Sequence, residues 1–200
     1  GWPHSWFDWD LLFLLPLPLI GKLGPVELVR EFATMGMLGT TGWLAGWSGS
    51  TRLGFSALAF GIWDIFYYVF LKVMCGWPHS WFDWDLLFLL PLPWWGPVIA
   101  PVLIAGLMIV WGTLITQFRP EEERPRWIWL SWLLNVLGSS VAVLVFMQDT
   151  LRVADQGVDV IRKVLPTLFN WPLFLIALTL MTAPPLRRFF LFVRRYNSGS

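Results

Sequence analysis

Asp64 stands inside an unbroken apolar stretch, LGFSALAFGIWDIFYYVFL, residues 53–71, with Arg52 and Lys72 at its two ends. An ionised carboxylate at the centre of a lipid-embedded helix costs at least about 2.5–3.5 kcal/mol on insertion scales, so a residue kept there is a functional candidate. It can relay a proton, contact a polar ligand, or serve as a hydrogen-bonded clamp that fixes helix packing. Tyr67 and Tyr68 follow at i+3 and i+4, which on a helix puts both phenols on the face of the carboxylate, where one can bond it locally. Lys72 lies eight residues on, about 12 Å along a helix axis and too far for a direct ion pair. Arg30 and Glu31 open the preceding apolar stretch and can pair with each other or neutralise Asp64.

A second group of polar residues is His79, Asp83 and Asp85, with Asp149, Asp155 and Asp159 further along the chain. One histidine with carboxylates is a possible donor set for a divalent cation, but the spacing HxxxDxD is not specific. No metal ligand is assigned on it. The only other histidine is His4. Asn135, Ser131, Ser139 and Ser140 lie in WIWLSWLLNVLGSSVAVLVF, residues 127–146, and read as hydrogen-bonding glue between helices. Gly36, Gly39, Gly42 and Gly46 line another apolar stretch; the last two form a GxxxG pair, which suits close helix approach in lipid. There is no Ser–His–Asp arrangement, Gly-rich phosphate loop, HExxH or histidine box. These absences count against hydrolase, ATPase, zinc protease and di-iron desaturase chemistry. No catalytic residue and no cofactor is assigned.

The elements that must position these residues follow from composition. Hydrophobic residues make up 56% of the 200, with sixteen Trp and sixteen Phe, and mean hydropathy is +0.62. Charged residues are only 14%, against about 25% in a typical soluble domain. The apolar residues come in long blocks, so lipid is the expected solvent. A net charge of +1 argues against nucleic acid, which requires a concentrated basic face. The single cysteine, Cys75, excludes an intramolecular disulfide and a multi-cysteine zinc site. No cleavable signal peptide is legible; the missing initiator Met and the Asn-Ser-Gly-Ser end read as trimmed, processed or engineered termini.

Five stretches approach the roughly 20 residues a membrane span needs. The first begins amphipathically at Val26 and is apolar or small over 32–47. The others cover 53–71, 98–118, 127–146 and a fifth that starts near Trp171, meets Pro184-Pro185 and continues as LRRFFLFVRRY. That last part is expected to kink or to lie in the interface. EEERPR, residues 121–126, reads as a charged turn, and 148–169 as a surface helix or a prolongation of the fourth span. Arg187, Arg188, Arg194 and Arg195 cluster near the C-terminus, with Arg119, Arg124 and Arg126 on the same side. By the positive-inside rule this side is cytoplasmic and the N-terminus lies outside. The expected fold is an all-α membrane protein of about five transmembrane helices.

Between spans two and three lies GWPHSWFDWDLLFLLPLPWWGPVIAP, whose apolar run is too short to cross a bilayer and is broken by Pro91 and Pro93. Its tryptophans are the type that anchors at headgroup level, so it reads as a Trp- and Pro-rich interfacial or partly re-entrant elbow packed on the other spans. Residues 1–18 repeat residues 76–93 without a change, with an abrupt edge and no repeat of the flanking helices. Old inverted repeats are whole bundles with weak similarity. The copy therefore reads as recent, engineered or erroneous rather than as a working repeat, although docking into a neighbour's elbow stays open. Residues 1–25 are taken as this N-terminal segment, and 26–200 as a single transmembrane helical domain.

The blocks REFAT (30–34), WDIFYYVFLK (63–72) and GWPHSWFDWDLLFLLPLPWWGPVIAP (76–101) resemble those of an uncharacterised family of small bacterial multi-pass inner-membrane proteins. The resemblance spans roughly residues 26–118. It implies a bacterial inner-membrane location and no particular activity, and marks Arg30, Glu31, Asp64, Tyr67, Tyr68, Lys72 and Asp85 as pattern residues. That pattern has one elbow block, from which the N-terminal copy departs. The expected function is non-catalytic: a subunit of a larger membrane complex, or a binder of a pigment or lipid-like molecule. Two alternatives stand beside it: a small transporter or proton-coupled channel using Asp64, and a membrane enzyme with a metal on the outer side. The expected partners are the bilayer itself, other membrane subunits, and pigments or lipid-like ligands.

Overall fold

The computed structural model describes residues 18–89, 92–117, 125–161 and 164–198. The first copy of the repeated string, residues 1–17 of it, and residues 118–124, with most of EEERPR, lie outside the described residues. The chain is mostly helical, and among the described residues four helices are long and apolar enough to cross a membrane: Gly49–Cys75, Ile99–Gln117, Arg126–Phe146 and Trp171–Leu191. This is the architecture of an α-helical membrane protein.

Helix α1 (Pro18–Ala45) begins before the Val26 start suggested by its sequence and is not among those four; Arg30, Glu31 and its Gly and Thr residues dilute its apolar character. It ends in a tight turn into α2 (Gly49–Cys75). Ser48 caps α2 through a capping box with Thr51, which satisfies amide donors that a helix start leaves without partners. The Arg52 guanidinium lies over the Trp43 ring at 3.8 Å and donates to the Gly46 carbonyl at 3.1 Å, closing the same turn. At the far end Gly76 takes the left-handed conformation, φ 78°, that favours glycine. Lys72 Nζ donates to the Gly76 and Pro78 carbonyls at 3.0 and 2.7 Å. Its charge is thereby spent on the helix end and not on Asp64.

Two short antiparallel strands follow, β1 (Trp84–Leu86) and β2 (Trp95–Pro97), with Asp85 opposite Gly96. Then come α3 (Ile99–Gln117) and α4 (Pro125–Phe146). Residues 148–161 form neither a long surface helix nor a prolongation of α4. They make three short turns: α5 (Gln148–Leu151), a 3-10 turn (Ala154–Gln156) and α6 (Val158–Ile161). The buried Asp149 carboxylate ties this segment down by accepting from Thr167 N–H and Thr167 Oγ1 at 3.0 and 2.8 Å. Helix α7 (Trp171–Ser198) carries Pro184 and Pro185 inside it and continues past them.

The helices form two groups. Helix α2 packs between α1 and α3, α4 pairs with α7, and α3 touches α7. Small residues make the close approaches. A side chain at Gly61 would meet the Ala105 carbonyl at 2.5 Å, one at Gly112 the Gly54 carbonyl at 2.5 Å, and one at Gly138 Met181 Cγ at 2.7 Å. Gly42 and Gly46 face Ser56 and Arg52 of α2 in the same way, whereas Gly36 and Gly39 face open space. Large apolar side chains such as Phe66, Phe70, Met74, Trp129 and Leu133 point outward, which suits lipid and not water. The buried core lies toward the strand end of the bundle: Ala100, Val145, Phe146 and Phe174 in one cluster, Tyr68, Trp77 and Val98 in another.

Gly61→Leu is expected to lower the melting temperature in mild detergent, since overpacking a close contact costs about 1–3 kcal/mol. Gly39→Ala, at an open position, is expected to leave it within about 0.5 kcal/mol of the original stability. Thermal unfolding of the two variants side by side checks the contrast.

Candidate functional site: a cavity beneath a hairpin

The two strands are the base of a hairpin that reaches far down the bundle. Beyond the ladder, Leu87 N–H donates to the Trp94 carbonyl at 2.9 Å and Trp94 N–H to the Phe88 carbonyl at 2.8 Å. The Phe88 ring stacks on Phe60, centroids 6.3 Å apart, and meets Trp94 edge-on at 5.4 Å. Trp94 in turn stacks on Phe146 at 6.3 Å. Phe60 lies fifteen residues before the end of α2, about 22 Å along its axis.

Backbone at that depth must find polar partners within the protein. Glu31 of α1 accepts from Leu89 N–H at 3.0 Å, and Thr150 Oγ1 donates to the Pro93 carbonyl at 2.8 Å. Val98 and Ile99 N–H donate to the Asp83 and Trp81 carbonyls at 3.0 and 2.9 Å. Within β1 the buried Asp85 carboxylate accepts from Tyr68 Oη at 2.8 Å. Burial pushes the Asp85 carboxyl above the usual carboxylate range, and the bonds from Tyr68 and the Leu86 N–H offset part of that rise.

Tyr68 therefore serves Asp85 and not Asp64, unlike the local pairing the i+4 spacing suggests. Its ring packs against Trp77, centroids 6.1 Å apart, and Val98, which turns the hydroxyl toward the hairpin. Tyr67 stacks on Trp63 at 6.0 Å and meets Tyr68 edge-on at 5.2 Å. Asp64 is 9% exposed and lines a cavity, and no hydrogen bond joins its carboxylate to a described residue. Its buried neighbours there include Glu31 and Asp85.

That cavity, about 1660 Å³, lies among α1, α2, α3 and α4, with the hairpin at one end. Phe60, Trp63, Leu107, Met108, Trp111 and Trp132 supply apolar wall; Arg30, Glu31, Asp64, Tyr67, Tyr68 and Asp85 supply the polar part. Asn135, Ser139 and Ser140 also line it. The glue expected between helices is, for three of these polar groups, bonding within their own helix. Asn135, Ser131 and Ser140 donate to carbonyls of Ser131, Trp127 and Val136, one turn back on their own helix. In an apolar helix the carbonyl at i−4 is always within reach, so these groups need no neighbour.

His79 and Asp83 form a turn. Asp83 Oδ2 accepts from His79 N–H at 2.6 Å and Ser80 N–H at 3.1 Å, and the exposed imidazole Nδ1 lies 3.7 Å from the same oxygen. Among the described residues no three His, Cys, Asp or Glu side chains converge as metal ligands would.

Sequence reasoning missed the roles of four residues. Thr150 carries no signal in its surroundings, because its partner is 57 residues away. Glu31 was legible as a charge but not as a hairpin anchor. Trp94 and Trp95 also line the cavity, and both indole Nε1 atoms are buried with no hydrogen-bond partner among the described residues.

No family model, curated protein or solved structure matches the chain.

Glu31→Ala is expected to raise hydrogen exchange in peptides spanning Leu89, because the amide loses its acceptor, while Glu31→Gln retains protection. Tyr68→Phe is expected to cost about 1–3 kcal/mol in thermal unfolding, the penalty for leaving a buried acceptor unsatisfied.

Proposed function

We propose that the chain binds a lipid-like molecule in the cavity between its helices, as a non-catalytic membrane protein. One observation carries this reading: an apolar cavity of about 1660 Å³ with its carboxylates and phenols gathered near the hairpin. Pockets for drug-sized ligands run about 300–1,000 Å³, so this volume suits something larger, with an apolar body and a small polar part. The same reading takes α1 as a fifth span and the hairpin as a partly re-entrant elbow. It places the chain in a bacterial inner membrane, with its C-terminus in the cytoplasm and its aromatic outer faces available to further subunits. The depth of Phe88 against Phe60 supports the re-entrant part.

Asp64 favours a second reading, proton-coupled transport. A buried carboxylate that faces a cavity and accepts no hydrogen bond from a described residue is poised to exchange a proton. Asp64→Asn separates the two: ligand retention survives under the first, and proton-coupled flux in proteoliposomes collapses under the second.

Native mass spectrometry of the full chain in mild detergent is expected to show a retained lipid mass. Ser139→Trp, at an exposed residue on the cavity wall, is expected to lower that occupancy about tenfold, equivalent to about 1.4 kcal/mol. A bare chain, or equal occupancy in the variant, would overturn the binding reading.

A further inference from the structure

Resting on the lipid-binding reading, we infer that the cavity is a side-open groove along which a glycerophospholipid crosses the bilayer, its headgroup inside the protein and its acyl chains trailing into the surrounding lipid. Depth is the first observation. The α2 residues on the cavity wall include Leu53 and Ser56 in the first turns of the helix, Phe60 and Asp64 midway, and Leu71 near the hairpin. Leu71 lies eighteen residues after Leu53, about 27 Å along the helix, against a hydrocarbon core of about 30 Å. A lipid resting in one leaflet needs only about half of that depth. The cavity reaches both leaflets.

Shape is the second. Helix α1 packs on α2, α2 on α3, α3 on α7 and α7 on α4, an arc with α1 and α4 at its two ends. Among the described residues these two share no extended packing, yet both line the cavity. Residues that are at once on the wall and exposed stand on both rims: Phe32, Met35 and Gly39 on α1, Val136, Ser139 and Ser140 on α4. The opening between the rims faces sideways, toward lipid.

Polar groups at mid-depth are the third. Gly42 approaches Ser56 and Gly46 approaches Arg52, an antiparallel register that brings Thr34 level with Asp64. Gly54 against Gly112 and Gly61 against Ala105 set the height of α3 on α2 in the same way. Trp111 of α3 meets Trp132 of α4 edge-on at 6.2 Å, which puts Ser139 and Ser140 within about one turn of the height of Asp64. Thr34, Asp64, Ser139 and Ser140 all line the cavity and so form a polar belt near the middle of the bilayer. The hydroxyls of Thr34 and Ser140 donate to carbonyls of their own helices and can still accept. A headgroup crossing bare hydrocarbon loses its hydrogen-bond partners, and that loss is the barrier to flipping. The belt supplies partners where the barrier is highest, and the side opening spares the acyl chains any passage through polar surroundings.

The test is a dithionite assay on vesicles of phosphatidylethanolamine and phosphatidylglycerol that hold the full chain and a trace of headgroup-labelled NBD-phosphatidylethanolamine, with no nucleotide or ion gradient. Dithionite bleaches only the outer-leaflet probe in protein-free vesicles and is expected to bleach nearly all of it when the protein is present. Gly39→Trp, on the α1 rim with open space around it, is expected to slow crossing about tenfold or more. Gly36→Trp, also in open space on α1 but not on the cavity wall, is expected to leave the rate unchanged. Joint Thr34→Val, Ser139→Ala and Ser140→Ala replacement is expected to slow crossing as Gly39→Trp does. Bleaching no greater than in protein-free vesicles, or equal rates for the two glycine variants, would overturn the crossing; a lipid mass still retained in the native spectrum would leave the binding reading standing. Neither crossing nor a retained lipid would remove both. Crossing without a retained lipid would confine the lipid to transit and overturn stable binding alone. The wild-type comparison needs no variant, so it stands even if a substitution fails to fold.

Discussion

A stretch of non-helical backbone sunk among apolar helices must have its amides and carbonyls matched, because neither lipid nor aromatic side chains can do so. Here that matching comes from two directions, and a side-chain bond adds a third hold. Glu31 reaches across from α1 to Leu89 N–H, Thr150 comes from the turn after α4 to the Pro93 carbonyl, and Tyr68 on α2 grips Asp85 at the base of the hairpin. Each contact joins the hairpin to a different part of the chain. Removing one loosens the hairpin and also one boundary between helix groups.

The hairpin explains the cavity. Helices α1, α2 and α3 pack tightly through glycines, and α4 packs on α7 through Gly138. The aromatic ladder Phe60–Phe88–Trp94–Phe146 runs from one group to the other and props them apart. Space is left beneath it, and the carboxylates that anchor or flank the hairpin become the polar part of that space. In this account Glu31 and Asp85 are occupied in holding the backbone, which leaves Asp64 as the carboxylate with hydrogen-bonding capacity to offer a ligand.

Much of the framework was legible because membrane helices announce themselves by length and apolar run. The stretches 53–71, 98–118 and 127–146 fall on α2, α3 and α4, and Trp171 opens α7. Lys72 marked the far end of the second stretch, and its amine binds carbonyls of the turn there. What failed was non-local. The hydroxyl of Tyr68 chooses between Asp64, four residues back, and Asp85, seventeen ahead; only packing on Trp77 and Val98 decides. Strand pairing of Asp85 with Gly96 was hidden because three-residue strands leave no alternation to read. Polar groups in α4 looked like contacts between helices, yet the carbonyls of their own helix were nearer. Pro184 and Pro185 suggested a kink or an interfacial tail, and the helix runs on through both.

The central claim is that the hairpin lies at depth among the helices, with Phe88 against Phe60. It can be tested by placing cysteines through Phe60→Cys and Phe88→Cys in a Cys75→Ser background and treating native membranes with a short thiol cross-linker. The account predicts an efficient intramolecular cross-link, with both thiols protected from a membrane-impermeant maleimide. Ready maleimide labelling at position 88 with no cross-link would place the hairpin outside the bundle and contradict it.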